Sequence, residues 1–184
     1  SAVSDKTALI EWRKRVGNEK ANAISKAATT RGTSMHKLCE NYLLNEELDD
    51  LGSINGNYLF RSIRPYLDNI DNLRCLETPL YSTKYKIAGT VDCIAEYNNV
   101  LSVIDFKTST RPKKEEYIEN YFLQGCFYLW SYYEITGELP EQVMVLISVE
   151  DGSVQNFTLD KKKIIKYSKM LEHKTKQYYK EYGE

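Results

Sequence analysis

Residues 103–110 read VIDFKTST. Val103 and Ile104 are β-branched and Phe106 is aromatic, the side chains a strand favours. Asp105 and Lys107 interrupt the run, two positions apart. On a strand such residues project from one face, so an acid and an amine leave the same side among apolar neighbours. Asp-x-Lys or Glu-x-Lys is a weak pattern in a chain with 28% charged residues, and it recurs at Asp160–Lys162 and Glu172–Lys174. Those two copies fall on a polar helical stretch, where positions i and i+2 do not share a face. Only the copy at Asp105 sits in an apolar strand.

The preceding β-rich run, KIAGTVDCIAEYN, carries Asp92, and Asn98-Asn99 between the runs suits a tight hairpin. Asp92 lies six residues before Asn98, and Asp105 six after Asn99. Antiparallel pairing about that turn brings the two carboxylates opposite each other. Facing carboxylates repel unless one is protonated or a cation lies between them. A hard divalent ion with oxygen ligands, magnesium or manganese, satisfies the second condition. Lys107 would then steady developing negative charge or position a water. Gly89 leaves room for a backbone or phosphate to approach. The alternative is a partly exposed Asp–Lys salt bridge at a strand end.

Further polar residues stand in apolar or helical contexts. His36 and Glu40 are four apart on one helix face, although a lone helical histidine is usually a hydrogen-bonded surface or core residue. Glu77 is an acid in the strand-like run LETPL. Gln124 lies in an apolar helix, within a helically spaced stripe of Tyr117, Tyr121, Tyr128 and Tyr132. A buried amide needs partners, so Gln124 is either a hydrogen-bond hub or one wall of a site. Tyrosines in such a stripe usually pack a core, and their faces also stack on unpaired bases.

The rest of the chain reads as helices first, with breaks expected at Gly17 and Gly32, Asn18 and Thr33 as caps, a turn at 51–56, and Pro65 kinking or limiting a fourth helix. Three strands follow, then a helix over 114–136 stopped by Gly137, two strands about Asp151-Gly152, and a lysine- and tyrosine-rich helix. This order predicts one α/β or α+β domain over 1–184, with a mixed central sheet of about five strands flanked by helices. Its parts are a helical region to about residue 70, a sheet core over about 72–160, and a C-terminal helix.

At 42% hydrophobic residues the chain can form a core, and no apolar run reaches the roughly 18 residues of a membrane span. A net charge of −1 is not that of a nonspecific nucleic-acid coat, although basic clusters occur at 13–15, 111–114 and 161–163. The opening residues lack the apolar core of a signal peptide. Cys39, Cys75, Cys93 and Cys126 have no metal-type spacing, which suggests reduced thiols and an intracellular protein without structural zinc.

Taken in order, GTVD, twelve residues, DFK and then QGCFY resemble the motifs of the PD-(D/E)XK nuclease superfamily, in its RecB-like branch. RGTSMH resembles that branch's N-terminal Gly-x-x-x-His motif, on Gly32 and His36, and EWRKRVGNEKAN resembles its phage and mitochondrial exonucleases. Val91 stands where the superfamily nominally has proline. The resemblance implies a restriction-endonuclease-like core and a magnesium- or manganese-dependent DNA nuclease. It places the metal on Asp92, Asp105, the Phe106 carbonyl, His36 and Glu77. It places catalysis on Asp92, Asp105, Lys107 and Gln124. Tyr128, Thr108, Ser109, Tyr121 and Arg31 are the expected substrate contacts. The cysteines do not match the iron–sulfur cluster pattern found in some members, so no cluster is expected. The expected activity is an exonuclease on single-stranded DNA ends or flaps, in replication, repair or recombination, as an intracellular monomer of phage or mitochondrial origin. A structure-selective endonuclease on the same core and a non-catalytic DNA-binding module remain alternatives.

Overall fold

The computed structural model describes residues 6–48 and 53–182. Helix α1 (Lys6–Val16) leads into α2 (Asn18–Leu43) and α3 (Ile54–Leu67). Strands β1 (Ile70–Ser82), β2 (Ile87–Tyr97) and β3 (Val100–Ser109) follow. A 3-10 turn (Glu115–Tyr117) precedes α4 (Glu119–Thr136), then come β4 (Gln142–Val149), β5 (Val154–Leu159) and α5 (Lys161–Tyr182). The expected α+β architecture is observed, with a helical N-terminal region and five strands in the order β1-β2-β3-β4-β5. Only β3 and β4 are parallel, and α4 is the crossover between them. Among the described residues no helix is long and apolar enough to cross a membrane.

The sheet separates two cores. On one face Met35 and Leu38 of α2 and Leu59 and Ile63 of α3 pack on Cys93, Ile104, Phe106, Met144 and Leu146. On the other, Phe122, Cys126 and Leu129 of α4 and Ile164 and Tyr167 of α5 pack on Ile94, Val103, Val143, Val145 and Ile147. Alternate residues of β3 therefore serve opposite layers: Ile104 and Phe106 face α2 and α3, while Val103 and its alternates face α4.

The Asn98-Asn99 hairpin forms as its sequence suggests. Both residues have positive φ, 50° and 65°, as a type I′ turn requires. Gly137 closes α4 in the left-handed conformation at φ 74°.

Several boundaries differ from expectation. Helix α2 runs unbroken through Gly32, so Thr33 is interior rather than a cap. Packing of Met35 and Leu38 against the sheet layer, and of Ser34 against the start of α3, holds the helix through the glycine, whose intrinsic cost is only about 1 kcal/mol. Gly17, not Asn18, is the N-cap of α2. Ser53 caps α3 by accepting from Gly56 N at 3.1 Å, and Pro65 lies in the last turn of that helix. The turn expected at 51–56 falls partly outside the described residues. Tyr117 belongs to the 3-10 turn and is 74% exposed, so it is not part of the α4 stripe.

Gly125 lets α4 approach β4. A Cβ there would stand 2.2 Å from Val143 Cγ1, and Val143 is fully buried. Gly125→Ala is expected to destabilise the fold by about 1–3 kcal/mol through overpacking. Gly125→Ala with Val143→Ala should recover part of that loss. Denaturant unfolding of the two single variants and the double variant checks this; strictly additive losses would contradict the close approach.

Candidate active site

The β2–β3 ladder runs from Tyr97↔Val100 to Cys93↔Ile104 and stops one pair short of Asp92 and Asp105. Beyond that point β2 continues paired with β1 alone, and β3 with β4. At the fork, side chains replace the missing strand partner of Phe106. Its N–H donates to Asp92 Oδ2 at 2.8 Å, and its carbonyl lies 2.6 Å from His36 Nε2 of α2. With Nε2–H as donor to that carbonyl, Nδ1 faces the acids, 3.7 Å from both Asp92 Oδ1 and Glu77 Oε1.

Glu77 reaches this position through irregular backbone. It has φ 45° within β1, beside Thr78, whose hydroxyl bonds to the Leu76 carbonyl at 3.0 Å. A positive φ at a non-glycine residue costs about 1–3 kcal/mol and persists only where the surroundings impose it. His36, Glu77 and Asp92 each offer a ligand atom within 4.8 Å of the others, so these three could hold a metal ion.

Asp105 lies on the other side of Asp92 and is almost completely buried, at 1% exposure. Lys107 Nζ stands 2.5 Å from both its carboxylate oxygens. Only Oδ1 accepts in hydrogen-bonding geometry, which leaves buried Oδ2 without a hydrogen bond. The ammonium also sits 5.4 Å from the centre of the Tyr121 ring. Helix α4 closes this side: Gln124 Nε2 donates to the Tyr128 hydroxyl at 3.1 Å.

The electrostatics follow from burial. Desolvation, then the charge on Asp105, pushes the Asp92 carboxyl up to about 6. Burial likewise raises Asp105, against the pull of Lys107. Burial alone would lower Lys107, but the charges of Asp105 and Asp92 outweigh it and keep the amine protonated. For His36, burial again works downward, and Glu77, Asp92 and the Phe106 carbonyl together raise it. The pocket is thus short of positive charge. The buried Asp105 Oδ2, which meets the Lys107 ammonium but accepts no hydrogen bond among the described residues, the two repelling carboxylates and a donor set of carboxylates, a carbonyl and an imidazole all fit a hard divalent cation.

The other expected substrate contacts are placed differently. Thr108 is on the opposite face of β3 from Lys107, and its Oγ1 comes within 3.8 Å of where a Cβ on Gly32 would lie. Ser109 is buried, and its hydroxyl donates to the Arg111 carbonyl at 2.6 Å. Arg31 is buried in an ion pair with Glu150, and its Nε has no hydrogen-bond partner among the described residues. Tyr121 stands at the site beside Lys107. Gly89 lies against Tyr128: a Cβ there would stand 3.0 Å from the Tyr128 hydroxyl. Glu40 pairs with Lys37 at 2.9 Å and is not among the three clustered groups. The inward turn of Glu77 has no marker in the sequence.

No protein-family model matches the chain. It is 31% identical over 111 residues to mitochondrial genome maintenance exonuclease 1 of Xenopus tropicalis, across 57% of this chain and 32% of that protein. Against the Homo sapiens protein of the same name, identity is 28% over 126 residues, 65% of this chain and 34% of that protein. The chain spans about a third of the length of these relatives. A solved structure of a candidate exonuclease from Eubacterium rectale superposes with a TM-score of 0.54 over 80% of this chain and 65% of that one. At 8% identity this is a likeness of fold.

The raised Asp92 carboxyl gives a stability prediction. Its folded pKa of about 6 lies above the ordinary 3.8, so between those values the folded chain binds more protons than the unfolded one. Stability at this residue therefore falls as pH rises through that window. In chelator, Asp92→Asn should be more stable than the parent by about 1–3 kcal/mol at about pH 8, with the gain gone by about pH 4. Denaturant titrations at the two pH values measure it, and a less stable Asp92→Asn at the higher pH contradicts carboxylate repulsion.

Proposed function

We propose that this chain is a magnesium- or manganese-dependent deoxyribonuclease of the PD-(D/E)XK superfamily, RecB-like branch, forming one nuclease domain. It acts as an exonuclease on single-stranded ends or flaps in DNA replication, repair or recombination. The observation that carries the reading is the fork between β2 and β3, where Asp92, Asp105 and Lys107 meet the Phe106 carbonyl, His36 and Glu77. The exonuclease names of the relatives and the fold likeness support it.

Asp92, Asp105 and the Phe106 carbonyl would hold the cation, with His36 and Glu77 completing its surroundings. A divalent cation at that position supplies Lewis acidity toward the scissile phosphate and makes a nearby water more acidic. Lys107, kept protonated by its two acidic neighbours, directs positive charge to the site where charge builds on the phosphoryl oxygens. Tyr121, whose ring centre lies 5.4 Å from that amine, limits where it can point. Gln124 and Tyr128 fix each other and present amide and phenol groups from the opposite wall.

End-labelled linear single-stranded DNA should be degraded with magnesium or manganese and not in chelator. Asp105→Asn and Lys107→Ala should each slow this by about 100-fold or more. Circular single strands should resist, since an exonuclease needs an end. Parent-rate degradation by either variant, or rapid nicking of circles, would contradict the assignment.

A further inference from the structure

A cavity of about 650 Å³ opens beside the site, between α4, the start of β2 and the last turns of α5. Its near wall is Tyr121, Gln124 and Tyr128, the same residues that close the acid cluster. Its far wall is Tyr178 and Tyr179 of α5, which lie edge to face with ring centres 5.4 Å apart. Tyr178 is 36% exposed, and it also packs on Tyr182, which is 72% exposed. The Tyr179 hydroxyl donates to the Lys86 carbonyl at 2.6 Å, tying α5 to the β1–β2 turn.

Two lysines line this space, in different states. Lys174 is held by Glu119 at 2.7 Å, which neutralises it. Lys86 is exposed, with its ammonium 5.9 Å from the centre of the Tyr179 ring. The cavity therefore combines aromatic faces with a cation that has no ion-pair partner among the described residues, and it shares Tyr121, Gln124 and Tyr128 with the acid cluster. A small apolar ligand has no use for the cation, and a duplex offers no exposed base faces to the rings. A single strand has both features, with flat bases for stacking and a phosphate at each step.

We propose that this cavity is the groove for single-stranded polynucleotide next to the scissile bond. A base rests on the Tyr178–Tyr179 pair, a phosphate lies at Lys86, and the strand passes Tyr121 and Tyr128 to the acids. The groove rests on the nuclease reading above, and it assigns substrate selection to residues outside the acid cluster. Dinucleotides, too short to span it, gain nothing from it.

The test uses Asp105→Asn as a binding background, with anisotropy of a labelled oligothymidylate of about 20 nucleotides. Adding Tyr178→Ala should weaken binding about tenfold, one lost stack. Adding Lys86→Gln should flatten the dependence of log affinity on log salt by about 0.7, one phosphate on a single strand. A lysine with a merely structural role would leave that slope unchanged. In the otherwise unaltered chain, both substitutions should slow cleavage of the long strand and leave cleavage of a dinucleotide unaltered. Circular dichroism and melting temperatures matching the parent confirm that the variants fold, and Tyr178→Phe should restore affinity. If the parent cleaves long strands while the Tyr178 and Lys86 variants keep its affinity and salt slope, the groove is wrong and the nuclease reading stands. If the parent neither cleaves nor binds, the nuclease reading falls and the groove with it.

Discussion

The peptide group of Phe106 lies where a β-ladder ends inside the protein. A buried backbone N–H and C=O must be paired, and leaving them unmet costs about as much as losing hydrogen bonds outright. Strand β2 has already turned away with β1, so the pairing comes from the Asp92 carboxylate and the His36 ring. The backbone requirement thus puts an acid from one strand and an imidazole from a helix around a carbonyl. Asp105 and Lys107 flank that peptide on the opposite face of the strand. Fold and site share these bonds, and the fork that interrupts the sheet also makes room for the site.

The helices hold that fork from both sides. Helix α2 crosses the face of Phe106 unbroken for 26 residues, which fixes where His36 arrives. On the other face α4 sits close on β4 through Gly125 and lays Tyr128 over Gly89 at the start of β2. The same α4 surface, with Gln124 and Tyr121, forms both the back wall of the acid cluster and the near wall of the tyrosine-lined cavity. Two buried carboxylates, each raised chiefly by burial and Asp92 further by the charge on Asp105, are costly in a resting fold. Lys107 offsets part of that cost by its ion pair with Asp105, while Asp105 Oδ2 accepts no hydrogen bond among the described residues.

Much of this was legible in the sequence because the turn could be identified. Asn98-Asn99 sets the register, and equal counting from it brings Asp92 and Asp105 to the same height. Strand alternation then places Lys107 with Asp105, and it equally places Thr108 on the other face, away from the acids. Ser109 has the right side but spends its hydroxyl on Arg111. The unbroken α2 was not legible, since helix packing on the sheet outweighs the local preference of one glycine. The left-handed backbone at Glu77 was not legible either, because glutamate carries no such preference. Lys86 and Tyr179 are brought together by tertiary folding alone.

The central claim is that the fork between β2 and β3 is a divalent-cation site and not a self-contained ion pair. A crystal soaked in manganese, with anomalous diffraction recorded at the manganese edge, tests it most directly. The account predicts a peak bounded by the carboxylates of Asp92 and Asp105 and the carbonyl of Phe106, with the Lys107 ammonium displaced from Asp105. Saturating manganese with no peak there, and Lys107 still clamped on Asp105, would contradict it.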